Sequence, residues 1–386
     1  MSTKIFWCQS CLNMSTRPRI EFNGEQICNA CQWSKEKSVF DWTKREEELQ
    51  NLLEKYRAKD QKSFDCVVPV SGGKDGSYVA HVLKTRYGMN PLTVTVRPAL
   101  SSNIGNRNLS AFIEAGFNHV HVSPSATVMQ KLNRLGFIEK GFPYYGWLIA
   151  IKTAVIQTAM NFKIPLIFYG EDGEVEYGGS TENKNKALYS IDYMKRVYFE
   201  GGYEKVFSKI LEDPGVSEGD LAFWQFPSDE EVKTHDLAFT HWSYFEPWDS
   251  YRNYVVAKEH CGLEEKEENN SGTFTNFAQN DQKLCSLHFY LMYLKFGFGR
   301  TTSDAGIEIR RGAMSRDQAL NLVRLFDGHY PEEFIEEYLE YYQMDITEFN
   351  GVLDKYANKD LFRKEKNSNS ISEWKPNFAV DVEFEI

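Results

Sequence analysis

One stretch of fourteen residues, from Phe64 to Ser77, constrains the fold of this chain more than any other part. The run FDCVVPV is typical of a buried strand, and it leads directly into SGGKDGS, where a helix is expected to begin. Three further strands, alternating with helices, follow as far as IPLIFYG. Strands that alternate with helices form parallel sheets covered on both sides. The sequence therefore predicts an α/β fold with a doubly wound parallel sheet.

The glycine-rich turn carries the groups that an anion site needs. Backbone N–H groups in such a turn, together with a helix N-terminus, form a cradle for phosphate, and glycine allows close approach. Ser71 and Ser77 offer hydroxyls, and the carboxylate of Asp75 is suited to Mg²⁺. The spacing does not match the GxxxxGK[ST] loop. The alternative is a plain glycine-rich turn without a ligand.

Two Cys-x-x-Cys pairs stand near the N-terminus, Cys8 with Cys11 and Cys28 with Cys31. Sixteen residues separate the pairs, a distance that lets four thiolates meet at one tetrahedral Zn²⁺. The intervening segment is expected to form a hairpin that turns at Asn23 and Gly24. A site closed by four cysteines has no open position, so the zinc would be structural. Four free buried thiols and an iron–sulfur cluster are the alternatives.

Composition excludes several classes of protein. With 42% hydrophobic residues among 386, the chain can bury a large core. A net charge of −11 disfavours a generally basic nucleic-acid binder, and no apolar run is long enough to span a bilayer. The first residues lack a secretory signal, so we expect a cytoplasmic protein with neither nucleic acid nor membrane as partner.

The chain divides into five predicted regions. They are a zinc ribbon (1–40), a linker helix (41–62), the α/β core (63–185), a substrate-binding and helical region (186–363) and a C-terminal tail (364–386). The C-terminal tail is expected to pack loosely.

The glycine loop resembles the SGGxDS loop of the PP-loop ATP pyrophosphatases, of the adenine nucleotide alpha hydrolase-like fold, with Gly76 inserted between Asp75 and Ser77. Those enzymes cleave ATP between the α and β phosphates and transfer AMP to an oxygen atom. The resemblance implies that ATP is bound by Ser71, Gly72, Gly73, Lys74, Asp75, Gly76 and Ser77. It also implies that Asp75 holds Mg²⁺, and that Glu171 and Asp172, in the turn after the fourth strand, bind metal or orient the nucleophile. An acidic surface turn is the alternative.

Nearly the whole chain resembles the N-acetyl sugar amidotransferases of the lipopolysaccharide and pseudaminic-acid type (WbpG/PseA-like). The resemblance rests on both cysteine pairs and on the blocks VPVSGGKDGSYVAHVL, IFYGEDGEVEYGG, YFEPWDSYRNYVVAKEH, SGTFTNFAQNDQKL and LKFGFGRTTSDAGIEIRRG. It implies a cytoplasmic enzyme that makes acetamidino sugars for lipopolysaccharide O-antigen or nonulosonic acids. The substrate would be an N-acetylated sugar, expected to be a nucleotide-linked diacetamido sugar.

The implied reaction adenylates the acetamido oxygen and then replaces it with ammonia. Its predicted catalytic residues are Lys74, Asp75, Glu171, Asp172, Arg300 and Asp304. Arg310 and Arg311 are predicted to bind phosphate, as arginine suits that group, and ordinary surface charge is the alternative. Trp242, Trp248 and Tyr251 would form either a sugar-stacking wall or part of the core.

The chain shows no glutaminase site of its own. Cys66, Cys261 and Cys285 stand outside the glycine-flanked turn that presents a nucleophilic cysteine. The resemblance implies a separate glutaminase subunit, since family members are accompanied by proteins similar to the glutaminase and cyclase subunits of histidine biosynthesis. A tRNA thiolase with a zinc ribbon is the main competing hypothesis, but the three remaining cysteines form no reactive pair. The other competing hypothesis is a non-enzymatic adaptor protein with a zinc ribbon.

Overall fold

A parallel sheet lies at the centre of the protein. The computed structural model describes residues 3–60, 62–366 and 372–386. The strands are β1 (Lys4–Ile5), β2 (Cys66–Pro69), β3 (Pro91–Val96), β4 (Asn118–Val122), β5 (Leu166–Tyr169), β6 (Ala238–His241), β7 (Phe362–Lys366), β8 (Ser372–Pro376) and β9 (Phe384–Glu385). Five of them form one sheet in the order β4-β3-β2-β5-β6, and all neighbouring pairs are parallel.

Helices surround this sheet and form the region after it. They are α1 (Asn29–Lys37), α2 (Trp42–Tyr56), α3 (Lys74–Thr85), α4 (Asn103–Glu114), α5 (Ala126–Lys140), α6 (Tyr145–Asn161), α7 (Gly173–Tyr177), α8 (Ile191–Tyr193), α9 (Tyr203–Ile210), α10 (Asp229–Thr234), α11 (Ser250–Cys261), α12 (Leu284–Phe296), α13 (Arg300–Arg310), α14 (Arg316–Phe326), α15 (Ile335–Tyr342) and α16 (Ile346–Tyr356). No helix in the described ranges combines the length and apolar character that crossing a bilayer requires.

Both faces of the sheet are buried, as a doubly wound fold requires. Val67, Ile167 and Phe239 pack into a cluster with residues of α5 and α6. Their neighbours Val68 and Phe168 pack on the opposite face with residues of α2 and α3. Successive side chains of a strand point to opposite sides, so each short strand contributes to two cores. The predicted fold class is confirmed.

The glycine loop, which runs from β2 into the first turn of α3, is tightly packed, and this explains two of its glycines. Gly72 has a φ of +79°, and a Cβ there would lie 2.4 Å from the backbone nitrogen of Leu109. A Cβ on Gly76 would lie 2.5 Å from the carbonyl oxygen of Pro69. A side chain at either position would collide with backbone, so the loop holds its shape only with glycine. Gly73 differs, because it precedes α3 in extended backbone and a Cβ there would meet a serine hydroxyl at 3.4 Å.

The helical region after the sheet forms its own core. Leu287 and Leu291 of α12 pack against Tyr338 of α15 and Phe349 of α16. Most of residues 282–299 form α12, and residues 315–357 contain α14, α15 and α16, in agreement with the helical region predicted there.

Two features differ from the predictions. The sheet has a fifth strand, β6, beyond the four that the sequence predicted; its four residues lie after a long segment of short helices and were not recognised. Within the described residues, the tail forms paired strands although it has no buried residue: β7 pairs with β8, and β9 pairs with β1. Phe384 of this tail packs against Trp7. A partner almost the whole chain away orders this charged segment, and no local pattern indicates it.

Candidate active site

The glycine loop and the acidic turn leave adjacent strands at the same edge of the sheet. Val67 of β2 pairs with Ile167 of β5, while β3 and β4 lie on the other side of β2. The strand order therefore reverses between β2 and β5, the place where open α/β sheets bind ligands. The loop and the turn are in contact there, since a Cβ on Gly170 would lie 3.4 Å from the Cβ of Asp75.

A cavity of about 160 Å³ lies over the glycine loop. Residues 71–76, including all three loop glycines, form one wall, and residues 277–281 form part of the other. The Ser71 hydroxyl hydrogen-bonds Asp281, which opposes the rise that burial causes in the pKa of that carboxyl. Ser77 is fully buried and does not line the cavity, and among the described residues its hydroxyl has no partner. The hydroxyl presented to a ligand is therefore that of Ser71.

Both carboxylate oxygens of Asp75 are held. Lys74 forms an ion pair with Oδ2, and the side-chain amide of Asn253 donates to Oδ1 over 3.0 Å. Asn253 lies on α11, which packs along α3, and its side chain is fully buried. The sequence analysis missed Asn253. The only sequence feature that could have indicated a role for Asn253 was its place within the YFEPWDSYRNYVVAKEH block.

Glu171 lies close enough to Asp75 for the two charges to interact. Burial, and then the negative charge of Asp75, raise the pKa of Glu171, while Lys74 and Arg300 oppose this rise. The Tyr177 hydroxyl donates to Glu171 over 3.3 Å. Two carboxylates that repel each other beside a phosphate-type loop are a donor set that fits Mg²⁺, which takes one or two carboxylates together with phosphate oxygens.

Arg300 brings a positive charge to these carboxylates. It lies 2.8 Å from Asp304, one turn further along α13, and Asp304 also accepts a hydrogen bond of 2.6 Å from Thr273. Burial alone would lower the pKa of Arg300, but the combined attraction of Asp304, Tyr177 and Glu171 outweighs it and the pKa is raised. Among the described residues, Nε of Arg300 has no hydrogen-bond partner. Asp304 therefore orients a permanently charged guanidinium that keeps a donor free.

Asp172 has different surroundings from Glu171. Its carboxylate accepts hydrogen bonds from the Glu174 backbone at 3.1 Å and from the Tyr198 hydroxyl at 3.3 Å. Burial raises its pKa to about 7. Lys152 lies nearby, with its Nζ 3.6 Å from the centre of the Tyr169 ring, and burial lowers its pKa to about 8. The sequence analysis missed Lys152 and Tyr198, which belong to no motif.

The structure places Arg310 and Arg311 away from the glycine-loop cavity. Arg310 donates to the carbonyl oxygen of Glu176 over 3.1 Å. Arg311 lies 2.6 Å from Glu308 and covers the ring of Tyr251 at 5.1 Å. Neither arginine lines that cavity.

The three aromatic residues that were considered as a sugar-stacking wall lie in three different environments. Trp242 is fully buried in the core and donates to Glu246 over 2.8 Å. Trp248 lies at the site, since a Cβ on Gly170 would be 3.0 Å from its ring. Tyr251 is 45% exposed, in the first turn of α11. Only Trp248 is therefore adjacent to the loop and the turn.

The four N-terminal cysteines converge. Their Sγ atoms all lie within 4.8 Å of one another, with Cys11 and Cys28 at 3.7 Å. Tetrahedral zinc with Zn–S bonds of about 2.3 Å requires S···S distances of about 3.8 Å. Hydrogen bonds from Cys11 and then the other thiols lower the pKa of Cys8 strongly, and that of Cys28 falls to about 7. The cluster, completed by Cys31, could hold one zinc ion and is too compact for a multi-iron cluster.

The N-terminal region that carries the four cysteines (residues 3–40, the cysteine module) is docked on α7, the helix directly after the acidic turn. Trp33 donates to Glu176 over 3.0 Å, and Lys37 pairs with the same carboxylate at 2.7 Å. Asn13 and Asn29 donate to the backbone carbonyls of Tyr177 and Gly179 at 3.0 and 2.8 Å. The module therefore supports the element that positions Glu171 and Asp172.

The remaining cysteines are unsuited to act as nucleophiles. Cys66, Cys261 and Cys285 are all buried. Burial raises the pKa of Cys261 to about 11 and those of Cys66 and Cys285 further. A thiol attacks as thiolate, so these three remain protonated and inert at neutral pH.

The fold and the site together define a doubly wound α/β protein with an anion-type glycine loop at the switch point and a docked cysteine module. Residues 271–376 match the family described as "LPS biosynthesis protein WbpG-like, C-terminal domain". This part of the chain is thus similar to the WbpG-like family, and the match covers the segment that supplies Thr273, Asp281, Arg300 and Asp304. No curated protein matches the chain significantly.

Among solved structures, one similar chain is a "predicted subunit of tRNA methyltransferase" from Methanocaldococcus jannaschii. The match has 15% sequence identity and a TM-score of 0.26. It covers 59% of this chain and 86% of the other.

Proposed function

We propose that this protein is an ATP-dependent amidotransferase of the PP-loop type. It would convert an acetamido group of a nucleotide-linked diacetamido sugar into an acetamidino group, in the synthesis of lipopolysaccharide O-antigen or nonulosonic acids. The observation that carries the proposal is the grouping of Asp75, Glu171 and Arg300 around Tyr177. Tyr177 donates to Glu171 over 3.3 Å, its ring lies 5.9 Å from the Arg300 guanidinium, and the charges of Asp75 and Arg300 both act on Glu171. These three charged residues come from the glycine loop, the acidic turn and the region that matches the WbpG-like family. In this proposal the matched region supplies part of the active site.

Each group has a role that its surroundings support. The loop N–H groups and Lys74 would bind the ATP phosphates, with Ser71 contributing its hydroxyl. Asp75 and Glu171 would hold Mg²⁺, which when bound neutralises the charge on the phosphates. Arg300, held by Asp304 at 2.8 Å, would stabilise the negative charge of the departing pyrophosphate.

The chemistry balances without a redox partner. The acetamido oxygen attacks the α-phosphorus, the α–β phosphoanhydride bond breaks, and pyrophosphate leaves. Ammonia then adds to the activated carbon, and AMP departs with the former acetamido oxygen. The product is an amidine that takes up a proton, together with AMP and pyrophosphate. An amide is a poor electrophile, and adenylation solves this by turning its oxygen into a good leaving group.

Ammonia would come from a separate glutaminase subunit, with or without a cyclase-like subunit, and the reaction would take place in the cytoplasm. The buried, protonated state of Cys66, Cys261 and Cys285 supports this division of labour. It also weighs against tRNA thiolation, which needs accessible thiolates to carry sulfur.

The test is a product assay with ATP, Mg²⁺, ammonium and a panel of nucleotide diacetamido sugars. We expect sugar-dependent formation of AMP and pyrophosphate, and a sugar product about one dalton lighter with an added cationic group. ADP as the main product would refute the proposed cleavage. Turnover that depends on tRNA and not on sugar would favour the thiolase instead.

A further inference from the structure

We propose that a second cavity, enclosed by the cysteine module, α5, α7 and α12, binds the anionic group of the acceptor sugar. This inference rests on the proposed function. It identifies the part of the acceptor that the cysteine module would help to hold. The cavity has a volume of about 280 Å³. Small-molecule pockets occupy roughly 300–1,000 Å³, so this one suits a single sugar ring or phosphate group rather than a whole nucleotide sugar.

Positive charges from three separate parts of the chain converge on this cavity. Arg17 and Arg19 come from the segment between the two cysteine pairs, Lys140 from the end of α5 and Lys295 from α12. Arg19 is neutralised by Glu174, which it contacts at 2.9 and 2.7 Å. Glu200 also lines the cavity and its negative charge acts on Lys295, but within the described ranges no carboxylate lies within ion-pairing distance of Arg17, Lys140 or Lys295. Unpaired cations collected around one cavity are unexpected in a chain with a net charge of −11.

The environment of these cations leaves them short of stabilisation. Burial lowers the pKa of Arg17 to about 10 and that of Lys295 to about 8. Arg17 has a long hydrogen bond of 3.4 Å to the Ser303 hydroxyl, and Lys295 donates to the Lys140 carbonyl over 2.6 Å. His288 also lines the cavity, and its Nδ1 is buried with no partner among the described residues. A bound anion would supply the missing counter-charge and hydrogen-bond acceptors.

The position of the cavity links it to the reaction site. Gly173 and Glu174, which directly follow the acidic turn, form part of its wall. Tyr198 also lines it and donates to Asp172. Phe142 and Phe298 add apolar surface of the kind that packs on a sugar ring. An acceptor whose anion lies here would extend towards Glu171 and the glycine loop.

The ligand chemistry is that of a carboxylate or a phosphate, and a calorimetric titration distinguishes the two. The zinc-loaded full chain would be titrated, without ATP, with UDP-glucuronate, UDP-glucose and glucose. The variants are Arg17→Gln and Lys295→Gln, and the second lies outside the cysteine module. Arg363→Gln, in the C-terminal hairpin, is the matched control. Zinc content and thermal unfolding would establish that each variant is folded.

A carboxylate site predicts that UDP-glucuronate binds about ten-fold or more tighter than UDP-glucose, with the preference lost in both variants. A phosphate site predicts that the two UDP sugars bind alike and tighter than glucose, with both weakened about ten-fold by each variant. Binding of the UDP sugars no tighter than glucose, or unchanged binding in both folded variants, would overturn the proposal. Failure of the proposed function would appear separately, as an absence of AMP formation.

Discussion

The amide nitrogen of Asn253 lies 3.0 Å from Oδ1 of Asp75 and joins α11 to the start of α3. The other carboxylate oxygen is paired with Lys74. A residue 178 positions along the chain therefore fixes the orientation of the carboxylate that we assign to Mg²⁺. Partners of this kind orient metal ligands without touching the metal themselves.

The first prediction concerns this contact. We expect Asn253→Ala to raise the Mg²⁺ concentration needed for AMP formation by about 10–100-fold, because an unheld carboxylate binds metal less well. Asp75→Asn should remove most activity at any Mg²⁺ concentration. Asn161→Ala, at the exposed end of α6, is the control. A Mg²⁺ requirement of Asn253→Ala equal to that of the wild type would argue against this positioning role.

The second prediction concerns zinc. We expect one tightly bound zinc per chain, and loss of it in the Cys8→Ser, Cys28→Ser double variant, measured by elemental analysis. A zinc site of this type contributes folding free energy on the order of 10–16 kcal/mol in small peptides, so chelation should also destabilise the module. Cys66→Val changes a buried cysteine outside the cluster and should keep its zinc. Full zinc in the double variant would refute the assignment.

The third prediction concerns the contact between the cysteine module and α7. Glu176 accepts from Trp33 and pairs with Lys37, and the side chains of the ion pair are each only 12% exposed. Glu176→Ala should therefore lower the free energy of unfolding by about 1–3 kcal/mol, because it leaves buried donors without a partner. Glu365→Ala removes an exposed pair with Arg363 and should cost less than about 1 kcal/mol. Equal losses in denaturant titrations of the two variants would contradict the buried contact.

The fourth prediction concerns pH. Burial raises the pKa of Asp172 from 3.8 to about 7, so between these values the folded protein binds more protons than the unfolded chain. Stability attributable to this group therefore falls as the pH rises from about 4 to about 7. Asp172→Asn cannot titrate, and between pH 4 and pH 8 its stability relative to the wild type should rise by about 2–4 kcal/mol.

Denaturant titrations at the two pH values would measure this difference. Asp192→Asn is the control, because the Asp192 side chain is 80% exposed and its variant should follow the wild type at both pH values. If Asp172→Asn also parallels the wild type, the carboxyl of Asp172 is not perturbed as the structure indicates.

The fifth prediction concerns ammonia. The isolated chain should work with high ammonium at elevated pH, where more of the nucleophile is unprotonated, and poorly with glutamine alone. Adding a glutaminase partner should restore the use of glutamine at neutral pH, because ammonia passed within a complex has a high effective concentration. Rapid turnover with glutamine and no partner would reveal a glutaminase site in this chain. Cys261 and Cys285 would then be the first residues to mutate.

Local patterns in the sequence were enough to predict the parallel sheet, the glycine loop and the cysteine cluster. A buried strand, a glycine-rich turn and a helix start are contiguous in residues 64–77, and each cysteine pair spans four residues. Such signals depend on backbone geometry and spacing, which neighbouring residues fix. The acidic turn was recognised because it ends a strand, although the different environments of Glu171 and Asp172 were not visible there.

Tertiary structure alone decided which distant residues complete the site. Asn253 reaches Asp75, Lys152 lies near Asp172, and Arg310 points to α7 instead of the glycine loop. The pairing of β9 with β1 likewise joins the two ends of the chain, and the cavity charged by Arg17 and Lys295 brings together segments far apart in sequence. Burial and charge at these places depend on packing between elements far apart in sequence, and a pattern of neighbouring residues carries no record of that packing.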